Sequence, residues 1–258
     1  MLKENLTDIT PIYRYMDMPE LIALLFKEEL CFSTANILND KNEISNDSIF
    51  NVLKFLYESV YKDRSNNPQI SDEAINFINK IKCNSYITSW STSEDNVALW
   101  KIYSKNNPFG FCVESTVLDL FESLNLERDY KVYRNLVEYD IPHSIEKIDE
   151  FIAVLNKKDV DKILQFSAFL KIPSYSYEQE YRIVIYRRDY TQSRILVKAD
   201  MNKLIKHIYI SPFMPKWFTE IIIDIPNIFP KTNPEENSEL IRKISHLKKL
   251  ELCSMIKE

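Results

Sequence analysis

Glycine is almost missing from this chain: of 258 residues, only Gly110 is one. Phosphate-cradling loops of the Rossmann or P-loop kind need several glycines, so that backbone N–H groups can come close to the ligand. Those modes are excluded, and a bound nucleotide would have to be held by side chains. The abundance of Asn, Lys and Ile suggests an AT-rich genome, which accounts for part of the shortage. Cysteine is sparse as well. Cys31, Cys83, Cys112 and Cys253 show no paired spacing, which excludes a disulfide framework. Three of them lie in apolar stretches that read as strands, as expected of buried free thiols in a reducing cytosol. No run is long and apolar enough to span a bilayer, and Met1-Leu2-Lys3-Glu4-Asn5-Leu6 lacks the apolar core of a secretion signal. Positive charge is in deficit, with a net charge of −5. That argues against a protein that coats nucleic acid, although it leaves room for a local basic groove. His143, His207 and His246 are isolated, so neither a metal cluster nor a Ser/His/Asp system is visible.

What is present reads as an ordinary soluble, cytoplasmic globular protein, 45% hydrophobic and 28% charged. Strands are expected at Ile12–Tyr15, Leu30–Thr34, Asn84–Ser91, Phe109–Glu114, within 129–140, after Glu180 to Tyr186, at Arg194–Lys198 and at His207–Ser211. Helices are expected at Asp17–Glu29, 46–63, 71–81, from Ser93 as N-cap to about Ser104, at 115–125 and over 144–171 with a break near Asp159. The tail from Glu235 places Leu240, Ile244, Leu247 and Leu250 on one side of a further helix. Short strands interleave with helices without regular alternation, which argues for an α+β class. The expected organisation is one domain over 1–234, with helical insertions near 46–81 and 144–171, and an amphipathic helix over 235–258 packed on it.

Three groups could carry chemistry. Tyr13-Arg14-Tyr15 sets an arginine between two aromatics, which suits bidentate phosphate or carboxylate binding beside a stacking face. Taken alone, the run better suits a half-buried edge strand whose arginine pairs with a nearby acid. Ser89-Trp90-Ser91-Thr92-Ser93 places alternating hydroxyls where a strand meets a helix; capping explains Ser93 but not Ser89 or Ser91. Glu178-Gln179-Glu180-Tyr181-Arg182 opens a β-branched strand. If that strand begins at Glu178, alternation puts Glu178, Glu180 and Arg182 on one face. One carboxylate could then stabilise a developing cation while the other takes a proton from a nucleophile. The structural alternative is a solvated strand start with Glu180 and Arg182 in an ion pair.

The order of these groups, Arg, then Ser-x-Ser, then Glu-x-Glu, resembles the R–S–E signature of ADP-ribosyltransferases. The resemblance implies a split, mixed or antiparallel sheet that binds NAD without a glycine loop. It implies that Arg14 binds NAD, that Ser91 and Ser93 support the site, and that Glu180 contacts the nicotinamide ribose and stabilises an oxocarbenium-like state. Glu178 would activate the acceptor, as in the arginine-modifying subgroup. Tyr13, Tyr15 or Trp90 would face the nicotinamide, and Arg182 would keep Glu180 ionised. The gaps between the groups are longer than in compact toxins of that kind.

A broader pattern resembles the bacterial domain-of-unknown-function family 2971. It joins Tyr13-Arg14-Tyr15, Asn39-Asp40-x-x-Glu43, Trp90-Ser91, Trp100 with Tyr103, Gly110 with Val113, and Tyr177 to Arg182. Lys41 replaces the proline usual after the Asn-Asp pair. This resemblance adds Asn39, Asp40 and Glu43 as site residues, with Asn39 and Asp40 in the binding set, against the alternative of an Asx-type turn. The expected function is cleavage of NAD at the nicotinamide–ribose bond and transfer of ADP-ribose to a protein or nucleic-acid acceptor, without a metal. A role as a toxin or phage-defence effector follows from the resemblance alone. The alternative is a non-catalytic nucleotide- or partner-binding module of the same fold. A metal-dependent nuclease using Asp40, Glu43, Glu178 and Glu180 ranks last, because no Asp…Glu-x-Lys run accompanies those acids.

Overall fold

Asp17 shows how local chemistry sets the first boundary of the fold. Its carboxylate accepts from Glu20 N at 2.9 Å while its own N–H donates to the Glu20 side chain, a reciprocal cap that satisfies two exposed amides at a helix start. Helix α1 therefore runs Met18–Lys27 between strands β1, Pro11–Asp17, and β2, Glu29–Thr34. It buries Leu21, Leu24 and Leu25, each worth roughly 1.5–3 kcal/mol of transfer free energy.

A computed structural model describes residues 6–34, 72–104, 107–139, 153–154, 157–171, 173–188, 192–228 and 250–252. The remaining described elements are α2 (Asp72–Cys83), β3 (Ser85–Ser91), α3 (Val97–Tyr103), β4 (Gly110–Thr116), α4 (Val117–Ser123) and β5 (Lys131–Leu136). They continue with α5 (Val160–Ser167), a 3-10 turn (Pro173–Glu178), β6 (Glu180–Tyr186), β7 (Arg194–Lys198), α6 (Met201–Leu204), β8 (His207–Ile210), α7 (Lys216–Ile228) and β9 (Leu250–Leu252). Mixed helix and largely antiparallel strand content agrees with the expected α+β class. The helix expected at 46–63 lies outside the described residues, as do the Asn39-Asp40 loop and Glu43.

Within the range expected for one domain, the described residues gather into two units. Unit 1 draws on 1–30, 90–126 and 196–258, and unit 2 on 31–89 and 127–195. In unit 1, β1 pairs antiparallel with the end of β3 through Tyr13↔Ser91 and with β4 through Tyr13↔Glu114 and Tyr15↔Cys112. Strand β4 continues to β8 through Glu114↔His207 and Cys112↔Tyr209, and β8 pairs in parallel with β9. The unit 1 core packs Leu99 and Trp100 of α3 on Tyr13, Tyr15 and Cys112. In unit 2, β5 pairs with β6 from Lys131↔Tyr186 to Leu136↔Tyr181, and β2 pairs with β3 through Ser33↔Ile87. Its core joins Ile163, Leu164, Ala168 and Phe169 to Ile81, Ile87 and Val184.

Several expectations are corrected. Ser93 does not cap the helix after β3. Asn96 does, with Oδ1 accepting from Ala98 N and Leu99 N, so Glu94 and Asp95 lie in the preceding turn. The break expected near Asp159 is present: a turn at 157–158 follows helical residues 153–154, and Asp159 caps α5 by accepting from Lys162 N at 3.2 Å. Leu250 is not helical: Leu250–Leu252 pairs with Ile208–Ile210 as β9. Cys83 ends α2 and is exposed, whereas Cys112 is buried in β4 as expected.

The single glycine is explained by crowding and not by backbone angle. A Cβ at Gly110 would lie 3.0 Å from Ser104 Cβ and 3.4 Å from Ser211 Cβ.

Candidate active site

Strand β6 begins at Glu180, two residues later than alternation from Glu178 requires. Its β-branched run Ile183-Val184-Ile185 favours the pleated conformation. The Pro173–Glu178 turn precedes it, and Gln179 joins the two in the left-handed region, with φ of 43°. Glu178 is thus not on the strand face that carries Glu180 and Arg182. The two carboxylates nevertheless meet, through a residue the sequence did not single out.

That residue is Lys171. Its Nζ donates to Glu178 Oε2 at 2.7 Å and to Glu180 Oε1 at 2.8 Å. Arg182 Nε takes the other Glu180 oxygen at 2.5 Å, and Arg182 Nη1 donates to the Ala168 carbonyl at 3.0 Å. All four side chains are buried, with exposures of 2% for Lys171, 6% for Glu178, 3% for Glu180 and 1% for Arg182. The backbone explains their convergence. Val137 N donates to the Glu180 carbonyl, Glu138 N to the Phe169 carbonyl, and Lys171 N to the Glu138 carbonyl. Residues 137–139 are thereby held between the start of β6 and the segment carrying Lys171. Tyr139 Oη accepts from Glu180 N at 2.9 Å, and Lys171 Nζ lies 4.3 Å from the Tyr175 ring centroid.

The two acids are driven apart in proton affinity. Burial pushes the Glu178 carboxyl up to about 8, aided by its hydrogen bond with Glu180 and opposed by Lys171. Burial is also the largest influence on Glu180 and also opposes its ionisation. Arg182, the Glu178 hydrogen bond and Lys171 together outweigh it, so Glu180 stays well below the usual carboxylate range. At neutral pH the pair therefore comprises one carboxylate and one carboxylic acid. A pair split in this way is equipped for two different roles. Burial and Glu178 also push the Tyr177 hydroxyl up.

Unit 1 holds the other predicted site residues that are described and divides them. Tyr13 and Ser91 are directly opposed, so their side chains share a face. Tyr15 shares that face, whereas alternation puts half-buried Arg14 on the other, with Trp90. Arg14 and Ser91 thus do not project together. Tyr15 is a buried strut: its hydroxyl donates to the Ser93 carbonyl at 2.9 Å, accepts from Asn96 N at 3.1 Å, and its ring meets Trp100 edge-on at 4.9 Å. Ser91 Oγ accepts from Ser93 N, and Ser93 Oγ accepts from Asn96 Nδ2, so both serines shape the turn before α3. Tyr13 is buried beside Tyr209, which donates to Glu114 Oε2 at 2.5 Å. Burial, then Glu114 and Glu94, push the Tyr13 hydroxyl up. Trp90 is 2% exposed, and its indole N–H has no hydrogen-bond partner among the described residues.

Sequence reasoning missed Lys171 and Tyr139. The available signal for Lys171 was a single cation inside Phe169-Leu170-Lys171-Ile172-Pro173, since a lysine in an apolar run is rarely buried without a carboxylate partner. Among the described residues, no group of three or more His, Cys, Asp or Glu side chains could hold a metal ion. No described helix is long and apolar enough to cross a membrane.

No family model matches the chain, and no curated protein does. Among solved structures, DarT of Thermus sp. 2.9 in complex with ADP-ribosylated ssDNA overlaps with a TM-score of 0.36 at 13% identity, over 90% of this chain and 94% of that one. The same protein in complex with NAD+ gives 0.35 and 13%, over 89% and 94%.

Proposed function

We propose that the chain cleaves NAD at the nicotinamide–ribose bond and transfers ADP-ribose to an acceptor, with Glu180 and Glu178 as its catalytic acids. The observation that carries this reading is the Glu178–Glu180 pair itself: two carboxyl groups joined through one lysine and held in opposite protonation states. Glycosyl transfer uses one carboxylate that stays ionised and a second whose proton exchanges near working pH. Glu180, kept anionic by Arg182 and Lys171, stabilises the ribose cation as nicotinamide departs. Each of its oxygens has a second lone pair beyond the one given to a cation. Glu178 acts as base in its ionised form, which becomes populated as pH approaches about 8, and then takes the proton of the incoming nucleophile. Water in place of an acceptor gives NAD hydrolysis.

Arg14 is the phosphate ligand in this reading, and the neighbouring Trp90 adds its indole N–H donor. Tyr15, Ser91 and Ser93 support the turn before α3, and Tyr13 shares their face. Asn39 and Asp40 remain candidate NAD ligands on the strength of the sequence pattern. The acceptor is a protein or a nucleic acid, the protein acts in the cytoplasm, and its role is that of a toxin or phage-defence effector. In this reading the sheet is split as in ADP-ribosyltransferases, and no metal takes part.

One observation favours a second reading. Glu178, Glu180, Arg182 and Lys171 are all nearly inaccessible, as expected of a buried ion network that fixes a fold around a binding module. The two readings separate in one assay. Purified protein is incubated with NAD labelled in the nicotinamide ring, and free nicotinamide is measured for the wild type and Glu180→Gln. Release by the wild type that falls at least ~100-fold in the variant supports the enzyme. NAD binding that survives Glu180→Gln and fails in Arg14→Ala, with no release or label transfer by either protein, supports the module.

A further inference from the structure

We propose that Lys171 is a positioning residue, one that ties Glu178 to Glu180 and holds Glu178 ready to activate the acceptor. The inference rests on the assignment of Glu178 and Glu180 as the working pair. Its grounds are geometric. Gln179 turns the chain through the left-handed region, so no strand alternation aligns the two acids. The Lys171 ammonium supplies the alignment, 2.7 Å from one oxygen of Glu178 and 2.8 Å from one of Glu180. Lys171 is itself fixed by three constraints: its N–H donates to the Glu138 carbonyl, its ammonium lies against the Tyr175 ring, and its side chain is 2% exposed. A buried lysine on a fixed backbone leaves a carboxylate few alternative positions.

The effect on the two acids is unequal. Glu180 has a second cation, Arg182, on its other oxygen. Among the groups around Glu178, Lys171 is the cation that opposes burial and the Glu180 hydrogen bond. Among the described residues, other charged or titratable groups at this point include Tyr175 and Tyr177 on the turn, Tyr139 after β5, and Glu180 with Arg182 on β6. Of these, Arg182 is the cation, and it is engaged by Glu180. Loss of Lys171 therefore raises the proton affinity of Glu178 more than that of Glu180. Transfer, which needs Glu178 as base, then suffers more than nicotinamide release, which needs Glu180 as anion.

The test compares wild type, Lys171→Met and Lys171→Arg on the full chain. Two readouts are taken: the side-chain carboxyl titration of Glu178, followed by 13C NMR on glutamate-labelled protein, and the ratio of ADP-ribose transfer to nicotinamide release. Lys171→Met is expected to move the Glu178 midpoint up by about one unit or more and to cut transfer at least ~100-fold while release falls far less. Lys171→Arg is expected to restore the midpoint. If Lys171→Met does not fold by near-UV circular dichroism, Lys171→Gln removes the charge and keeps two N–H donors. An unmoved Glu178 midpoint in the neutral variant overturns the proposal. So does an equal fall of transfer and release. Should the wild type release no nicotinamide, the enzyme reading fails, and the titration still decides whether Lys171 governs Glu178.

Discussion

Tyr13 and Ser91 face each other across β1 and β3, and Arg14 therefore projects from the opposite face of the same strand. The first two groups of the R–S–E order cannot both contact a ligand lying on one face of unit 1. Arg14→Ala is expected to weaken NAD binding by about 1.5–3 kcal/mol, the worth of a hydrogen bond to a charged group, or roughly 10- to 100-fold. Ser91→Ala removes an acceptor from Ser93 N and is expected to lower stability by about 1 kcal/mol without a comparable loss of binding. Titration calorimetry with NAD and urea denaturation of both variants check this. Equal binding losses would place both residues at the ligand.

Tyr15 gives a related contrast within one residue. Its hydroxyl both donates to the Ser93 carbonyl and accepts from Asn96 N, while its ring packs on Trp100. Tyr15→Phe keeps the ring and strands two polar groups, at a cost of about 1–3 kcal/mol. Tyr15→Leu also loses the edge-on aromatic contact, for a further ~0.5–1.5 kcal/mol. Denaturation midpoints order the three proteins, and NAD affinity is expected to stay constant across them. A binding loss in Tyr15→Phe equal to that in Arg14→Ala would assign the hydroxyl to the ligand.

How far the site could be read from sequence depends on the residue. The Glu-x-Glu pair was legible because acids flanking a β-branched run are conspicuous. Its geometry was not, since nothing in Gln179 announces a left-handed backbone in a residue that has a Cβ. Lys171 was illegible for a different reason: its burial depends on residues 137–139 lying between it and β6, a pairing across about thirty residues of chain. The cap shifted from Ser93 to Asn96 because two competent capping residues stand three apart, and the Tyr15 hydroxyl engages the turn between them. At the tail, the spacing of Leu240, Ile244, Leu247 and Leu250 has helical period, but at Leu250–Leu252 pairing with β8 overrides local pattern. Tertiary contacts decide such cases, and no window of sequence contains them.

The single glycine makes a separate prediction. Gly110→Ala would set a methyl 3.0 Å from Ser104 Cβ, so that Ser104 must give way by a few tenths of an ångström, while Ser211 Cβ at 3.4 Å and Trp100 at 3.5 Å lie at ordinary contact. Overpacking of this kind costs about 1–3 kcal/mol. Gly110→Ala with Ser104→Gly removes the nearest atom and is expected to recover part of the loss. Urea denaturation of the two variants checks it; no recovery would mean that the second serine, Ser211, limits the space.

The buried tetrad predicts a large penalty for breaking one partner and a non-additive one for removing Arg182 and Glu180 together. Arg182→Met leaves Glu180 with Lys171 alone and costs about 3–5 kcal/mol. Replacing Glu180 by Gln in the same chain removes the carboxylate that Arg182 pairs with, so the loss in the double variant is expected to be smaller than the sum of the two single losses. A double-mutant cycle on urea midpoints gives the coupling. Strictly additive losses would show that the two side chains do not form the pair described.

The same tetrad fixes how stability responds to pH, and the sign differs for its two acids. Glu178 binds its proton more tightly folded than unfolded, with affinity raised from 4.5 to about 8. Stability from that proton is fully present below 4.5 and is lost as pH rises through the interval up to about 8. Glu180 behaves oppositely. Its folded affinity lies below the ordinary 4.5, so its contribution is present above that value and is lost as pH falls through the acid range. The pair alone thus gives a stability maximum close to 4.5, with an alkaline limb due to Glu178 and an acid limb due to Glu180. Glu178→Gln removes the titrating group and is expected to flatten the limb between pH 5 and 8 while leaving the acid limb in place. Thermal midpoints recorded across that range for both proteins check the assignment. An alkaline limb that persists unchanged in Glu178→Gln would transfer the titration to another residue and remove the split on which the catalytic pairing rests.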